Sequence, residues 1–374
     1  MRILLTGGGS GGHFFPLIAV ARELRRLAEE DKILDVQLFY LGPNDYGKDF
    51  LLREDIVFRH IPTGKVRRYA SARNFGDFFL TLWGVVHALW QVFVIMPDVV
   101  FSKGGYGSFP ALLAARVFFL PVVIHDSDAV PGMVSRWSAK FAQRIGVAFP
   151  GALQFFPKEK TAVVGNPIRK QIMGGVKERA RENFDIFSQK PVVLVLGSSQ
   201  GAEPINQMVL DGLSSLVGDF EVIHQCGAAR FGDMQEQASV ILSKEERRFY
   251  HLFGFLDEAQ YREALAACDV AVSRASAGSI FEIAASGKPS ILIPLPHSAG
   301  DHQRENAYAY AKATGALVVE EENATSNLLH HTLLRLFASP DQLAKMAAGA
   351  ATFARPLAAE LVAKEILALA LSHQ

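Results

Sequence analysis

The stretch RILLTGGGSGGHFFPLIAVARELRRL, residues 2–27, decides the fold. Its short apolar run, 2–6, reads as a strand buried on both faces. The glycine-rich run 7–12 reads as a loop, and apolar residues at helical spacing over 17–27 predict a helix. Strand, glycine loop and helix in that order open a βαβ unit. The same opening recurs at PVVLVLGSSQGAEPINQMVLDGL, residues 191–213, as strand 191–196, loop 197–201 and helix 205–216.

Working outward, further apolar runs predict strands at 36–41, 98–102, 121–125 and 144–149 in the first half. In the second half they fall at 220–225, 249–253, 269–273, 289–294 and 316–319. Helical stretches separate most of them. Strands alternating with helices predict an α/β chain of two Rossmann-like domains, each built on a parallel sheet. The domains are expected over 1–165 and 166–355, joined near 165–167 and a charged helix at 171–183. An Ala/Leu-rich helix at 356–371 closes the chain. Ligands bind at the carboxyl ends of strands in such sheets, so two facing domains would gather their loops around one cleft.

Composition sets bounds. The 374 residues hold 38 Lys+Arg and 38 Asp+Glu, a formal net charge of zero, so no global electrostatic case for nucleic-acid binding exists. Apolar residues at 49% and charged ones at 20% exclude a disordered chain. Cys226 and Cys268 are too few and too far apart for a disulfide framework or a Cys-rich zinc site. No apolar signal-peptide core precedes the first glycines, so no secretory leader is expected.

The loops carry the chemistry. Gly7, Gly9 and Gly12 satisfy GxGxxG after a strand, where glycines let backbone N–H groups approach a phosphate. A dinucleotide reading needs an acidic residue ending the second strand. That strand instead ends Tyr40-Leu41-Gly42-Pro43, with Asp45 late, and this argues against NAD. His13, at the helix start, is a candidate general base, its alternative being a capping or packing histidine. Gly104-Gly105-Tyr106-Gly107-Ser108 and Gly197-Ser198-Ser199-Gln200-Gly201 are two more glycine loops after strands. Small residues in Arg274-Ala275-Ser276-Ala277-Gly278-Ser279 leave amides open at a helix start, a pyrophosphate cradle, with Glu282 placed to accept ribose hydroxyls. Residues 297–306 gather polar side chains after a strand, as a sugar site requires. Asp126-Ser127-Asp128 spells a DxD, for which a metal site is the less favoured reading.

Residues 78–97 carry no charge and are long enough to span a bilayer. A spanning helix would cut the first domain between its strands. The expectation is a helix buried on one face and dipped into lipid on the other. Phe75, Phe79, Leu82, Val86, Trp90 and Phe93 form one stripe, and Phe78, Val85, Leu89 and Val92 another. Arg59, Lys65, Arg67, Arg68 and Arg73 precede it with no acid among them, which suits an anionic membrane surface.

Taken together, GGGSGGHFFPLIAVARELR, SKGGYGSFPALLAA, HDSDAVPGMVSRW, VGNPIR, GSSQGA, SRASAGSIFEIAASGKPSILIP and DHQRENA resemble the MurG family of bacterial glycosyltransferases, in family order over residues 7–307. The resemblance implies a GT-B fold, with the last helix crossing back to the first domain. It implies inverting transfer of GlcNAc from UDP-GlcNAc to the MurNAc 4-hydroxyl of undecaprenyl-diphospho-MurNAc-pentapeptide (lipid I), giving lipid II. It implies no cofactor and no metal. The donor would be met by Arg169, Ser199, Leu256 (through its backbone), Ala277, Gly278, Ser279, Glu282, Gln303 and Asn306. The acceptor would be met by Ser10, Gly11, Gly12, His13, Gly105, Tyr106 and Asp128, with His13 as base and Asp128 as a second candidate. Phe75, Phe79, Leu82, Trp83, Arg67 and Arg68 would touch the cytoplasmic face of the plasma membrane as a peripheral contact. The family usually has His-Glu-Gln-Asn where this chain has His125-Asp126-Ser127-Asp128, and Gly where it has Ser276. Rival readings are transfer to another lipid such as diacylglycerol, a UDP-GlcNAc epimerase of similar fold, an NAD-dependent oxidoreductase, and a non-catalytic nucleotide-binding protein.

Overall fold

The computed structural model describes residues 1–8, 11–33, 35–43, 47–64, 73–197, 201–296, 298 and 300–373, without the side chains of 73–75. The chain folds as two compact units, Met1–Arg169 with Arg355–Gln374, and Lys170–Ala354. The first boundary falls after Arg169 rather than after Gly165. Asn166 is buried and bonded to Lys103 and Ser127, so 166–169 stay with the first sheet.

In the first unit the strands are β1 (Arg2–Thr6), β2 (Gln37–Gly42), β3 (Val57–His60), β4 (Val99–Ser102), β5 (Val122–Asp126), β6 (Arg144–Val147) and β7 (Thr161–Val163). They form one seven-stranded sheet in the order β3-β2-β1-β4-β5-β6-β7, and every pair is parallel. In the second unit β8 (Val192–Leu196), β9 (Glu221–Gln225), β10 (Tyr250–Phe253), β11 (Val270–Ser273), β12 (Ser290–Leu292) and β13 (Leu317–Val318) pair in the order β10-β9-β8-β11-β12-β13, again all parallel. Chain order reverses between β1 and β4 in one sheet and between β8 and β11 in the other. These switch points open a crevice at the carboxyl ends of the strands.

Both sheets are covered on both faces, which is why their central strands are apolar throughout. Ile3 and Leu5 pack to one side with the helix Gly11–Glu30, while Leu4 packs to the other with Ala88, Val92 and Leu112. Val193 and Val195, against Val192 and Leu194, divide the second core in the same way. The closing helix, Ala358–His373, buries Ala359, Val362, Ala363 and Ile366 in the first unit's core beside the helix Gly11–Glu30, where Glu360 meets Arg26 at 3.0 Å.

Three sequence expectations need correction. The first helix starts at Gly11, not at residue 17, so His13 stands in its first turn. Pro16 lies inside that helix and forgoes the ladder bond to the Gly12 carbonyl. The charged helix at 171–183 is instead a 3₁₀ turn, Lys170–Ile172, and a helix, Lys177–Asn183. Gly174 at φ 79° breaks it, and a Cβ on Gly175 would lie 2.6 Å from Ala266 Cβ. The edge strands β3 and β7 were not anticipated from the sequence, because only a few of their residues are even half-buried and they carry no apolar run.

Candidate active site

In the first unit, two glycine loops flank the switch point. The loop after β1 leads into the helix Gly11–Glu30, and the loop after β4 runs Gly104–Ser108. Gly104 and Gly105 take φ of 71° and 79°, which favours glycine. A Cβ on Gly105 would lie 2.9 Å from Gly8 Cα and 3.3 Å from His13 Nε2. The two loops therefore touch backbone to backbone, with the His13 ring edge against them. His13 Nδ1 sits 3.0 Å from the Lys103 carbonyl. A carbonyl only accepts, so Nδ1 carries a proton, and in the neutral ring Nε2 is the atom with the lone pair.

Beneath the loops lies a buried polar cluster. Lys103, the residue after β4, is 1% exposed. Its Nζ donates to His125 Nδ1 at 2.5 Å, to Ser127 Oγ at 2.6 Å and to Asn166 Oδ1 at 3.1 Å. His125 Nε2–H donates to the Gly165 carbonyl at 2.8 Å, which leaves Nδ1 as an acceptor. Ser127 gives its own proton to Asn166 Oδ1 at 2.8 Å. Three acceptors thus match the three N–H bonds of an ammonium. Burial pulls the Lys103 ammonium down to about 7, while the Asp126 and Asp128 carboxylates pull it back up. Burial and the adjacent Lys103 hold His125 well below the imidazole range, so it is neutral.

Asp126 is folded onto its own turn. Its carboxylate accepts from the Asp128 amide at 3.1 Å and the Gly132 amide at 3.3 Å. Burial and the neighbouring Asp128 push it up to about 6, against the Ser135 hydroxyl, the Asp128 amide and Lys103. The DxD is thereby engaged in a turn. Among the described residues, no group of three or more His, Cys, Asp or Glu is placed to hold a metal. Tyr106 is half-buried, and burial and Asp77 raise its hydroxyl above the usual range. Asp77 belongs to the helix Arg73–Ile95, so that helix begins beside the glycine loop.

That helix docks by one face. Ala88, Val92 and Ile95 are buried, and a Cβ on Gly84 would lie 1.8 Å from the Pro62 carbonyl oxygen, so a backbone crossing requires the glycine there. Phe79, Leu82 and Trp83 are 52%, 53% and 62% exposed, with Phe78, Val86, Trp90 and Phe93 similarly bare. Phe78 therefore faces solvent rather than sharing the buried stripe with Val92. The span Gly76–Ile95 is long and apolar enough to cross a membrane by length and composition, with a mean hydropathy of 1.8. Arg67, Arg68 and the Phe75 side chain lie outside the described residues, as does Ser10.

In the second unit the corresponding loops follow β8 and β11. Gly201 takes φ 84°, and a Cβ on Gly197 would lie 3.0 Å from the Gln225 carbonyl oxygen. Ser199 lies outside the described residues. After β11, Arg274 is buried, donates to the Ile293 carbonyl at 3.2 Å and pairs with Glu321. Ser276 caps the helix Ala277–Ala285, its Oγ accepting from the Ser279 amide at 3.2 Å. A Cβ on Gly278 would meet nothing nearer than Ser276 Oγ at 4.0 Å, so the space at that Cβ position is open. Glu282 is half-buried on the same helix.

Asn306, fully buried, donates to the Ala275 carbonyl at 3.3 Å, and Gln303 Oε1 accepts from the Leu295 amide at 3.0 Å. The structure therefore gathers Ala277, Gly278, Ser279, Gln303 and Asn306 around the ends of β11 and β12. Leu256 lies beyond the end of β10, and its amide donates to Gln225 Oε1 at 3.1 Å. A base reaching that amide would have to share the bond. Arg169 belongs to the first unit, its guanidinium 4.3 Å from the Phe15 ring centroid. Sequence reading missed Lys103 and Asn166. The available signal was a lone Lys between an apolar strand and Gly104-Gly105.

Residues 3–147 match the glycosyltransferase family 28 N-terminal domain and 192–362 its C-terminal domain. A Clostridium perfringens relative, named UDP-N-acetylglucosamine–N-acetylmuramyl-(pentapeptide) pyrophosphoryl-undecaprenol N-acetylglucosamine transferase, is 35% identical over 88% of this chain and 88% of its own. The chain belongs to the MurG family. A Clostridium tetani relative of the same name is 32% identical over 92% of both chains. Among solved structures, Acinetobacter baumannii MurG aligns at 25% identity and a TM-score of 0.74, covering 98% of this chain and 99% of that one. UDP-GlcNAc 2-epimerase from Neisseria meningitidis aligns at 15% identity and a TM-score of 0.66, covering 98% and 100%, which shows a shared fold alone. Two parallel-sheet α/β units of GT-B type, as the MurG relatives have, are thus what the sequence predicted.

Proposed function

We propose that this protein transfers GlcNAc from UDP-GlcNAc to the MurNAc 4-hydroxyl of lipid I, giving lipid II, with inversion at C1. The observation that carries this reading is the 35% identity, over most of both chains, to an enzyme named for that transfer. On this reading the residues take the following roles. The amides at the start of the helix Ala277–Ala285, with the helix dipole behind them, suit the pyrophosphate and the charge that develops as UDP leaves. Glu282 would accept ribose hydroxyls, Gln303 and Asn306 the GlcNAc, and Leu256 and Arg169 the base and phosphates.

In the acceptor half, His13 Nε2 takes the proton of the attacking hydroxyl. Its lone pair is fixed by the bond from Nδ1–H to the Lys103 carbonyl. Gly105, Tyr106 and Gly12 would bound the acceptor diphosphate and sugar, and Asp128 is the second candidate base. The reaction is expected to need no metal and no cofactor. The bare aromatic face with Phe79, Leu82 and Trp83 would rest on an anionic membrane as a peripheral contact at the cytoplasmic face. The test is turnover of labelled UDP-GlcNAc with a short-chain lipid I analogue, with and without chelator. Lipid II-like product in both arms is expected. UDP-GlcNAc binding without transfer would overturn the acceptor, and loss of turnover with chelator would overturn metal-free chemistry.

A further inference from the structure

The cluster around Lys103 is an expensive thing to build. A side chain that is 1% exposed carries an ammonium beneath the acceptor loops, and a buried charge is tolerated only when it is fully paired. Here it is paired from separate segments: His125 at the end of β5, Ser127 just after it, and Asn166 beyond β7. The main chain of the same residue is also engaged, because its carbonyl accepts from His13 Nδ1. One residue therefore joins the first turn of the helix Gly11–Glu30 to the segment that carries Asp126 and Asp128.

We propose that Lys103 is a positioning residue for the transfer: its carbonyl sets the ring of His13 with Nε2 toward the glycine loops, and its ammonium clamps His125, Ser127 and Asn166 so that the loop bearing Asp128 is held in register with that ring. The proposal rests on the transferase reading and deepens it.

A hydrophobic pin would fill the same volume, but it would make none of the three hydrogen bonds. The titratable groups facing the ammonium are His125, Asp126 and Asp128, with His13 on the carbonyl side. Removing a cation beside them favours the protonated form of whichever group acts as base. The acid limb of the pH–rate profile must then move to higher pH, which loss of packing alone would not do.

The experiment is Lys103→Met in the full chain, assayed with UDP-GlcNAc and the lipid I analogue from pH 5.5 to 9, with UDP binding measured in parallel. Expected are a kcat lower by about a hundredfold and an acid limb displaced upward. UDP affinity should stay within about twofold, because, Arg169 apart, the residues assigned to the nucleotide lie in the second unit. A folded variant with kcat within about threefold of the parent and an unmoved acid limb overturns the proposal. If Lys103→Met does not melt cooperatively, Ser127→Ala decides. It removes one acceptor and keeps the charge, and is expected to lower kcat by about tenfold with UDP affinity kept. Unchanged kcat in Ser127→Ala overturns the clamp. A parent enzyme that binds UDP but gives no product with the analogue fails at the transferase reading itself, which is a different result from either variant.

Discussion

The two crevices share one topology and differ in what lines them. At the β8/β11 switch point the groups are backbone amides, the hydroxyls of Ser276 and Ser279, and a buried Arg274 held by Glu321. At the β1/β4 switch point they are ionisable side chains: Lys103 and Asp126, both shifted toward neutrality, with Asp128 beside them and His13 on the Lys103 carbonyl. Amides at a helix start offer a charge distribution that does not depend on pH, which suits holding a nucleotide diphosphate. Groups with shifted pKa values suit moving a proton. On the proposed assignment, one fold would divide holding from chemistry by the loops it mounts, and mutations can test that division.

The largest effect is expected from His13→Ala. If the first crevice does the chemistry, kcat should fall by about 10²–10⁴-fold while UDP-GlcNAc affinity stays level. Equal losses in both would break the comparison. Gly278→Ala probes the other side. Its Cβ meets only open space, so the variant should fold with an unchanged Tm. If the pyrophosphate sits at this helix start, the added methyl should crowd it, raising KM for UDP-GlcNAc by about tenfold with kcat less affected. An unchanged KM would place the pyrophosphate elsewhere.

Gly105→Ala is the structural counterpart. At φ 79°, with Gly8 Cα 2.9 Å from the new Cβ, it should cost about 1–3 kcal/mol in chemical denaturation, a penalty absent at Gly278. A double change of Phe79 and Trp83 to Ser should weaken sedimentation with phosphatidylglycerol vesicles by about tenfold and leave UDP binding alone. Vesicle binding equal to the parent's would remove the membrane role from this face.

The smallest effect is a pH slope. The Asp126 carboxyl is pushed up to about 6 in the folded chain. The folded state therefore holds that proton at pH values where the unfolded state has lost it. Its contribution is complete below the ordinary carboxyl range and is lost as pH rises through about 6. Relative to Asp126→Asn, the parent's Tm should fall across that window. A pH-independent difference would show that the carboxyl is not shifted.

How much of this was legible beforehand varies by element. The central strands β1, β4, β5, β8, β9 and β11 were visible because a doubly covered sheet demands continuous apolar runs. The edges β3 and β7 were not, because an edge strand half in solvent carries no such run. Ala277–Ser279 and His13 were visible because glycine and small residues after a strand have a direct backbone use. Lys103 was not, since a lone lysine reads as surface until its partners are known.

The sequence by itself determined the class of fold, the places where loops meet strand ends, and the apolar helix Arg73–Ile95, because each is a local pattern of burial or backbone freedom. The tertiary structure alone decided the rest. It showed which face of that helix is bare, that Leu256 already spends its amide on Gln225, and that Lys103 meets His125, Ser127, Asn166 and His13. Those partners lie 22, 24, 63 and 90 residues away in the chain. A hydrogen bond needs its partners within about 3 Å in space, and sequence spacing carries no information about such distances until a sheet fixes them.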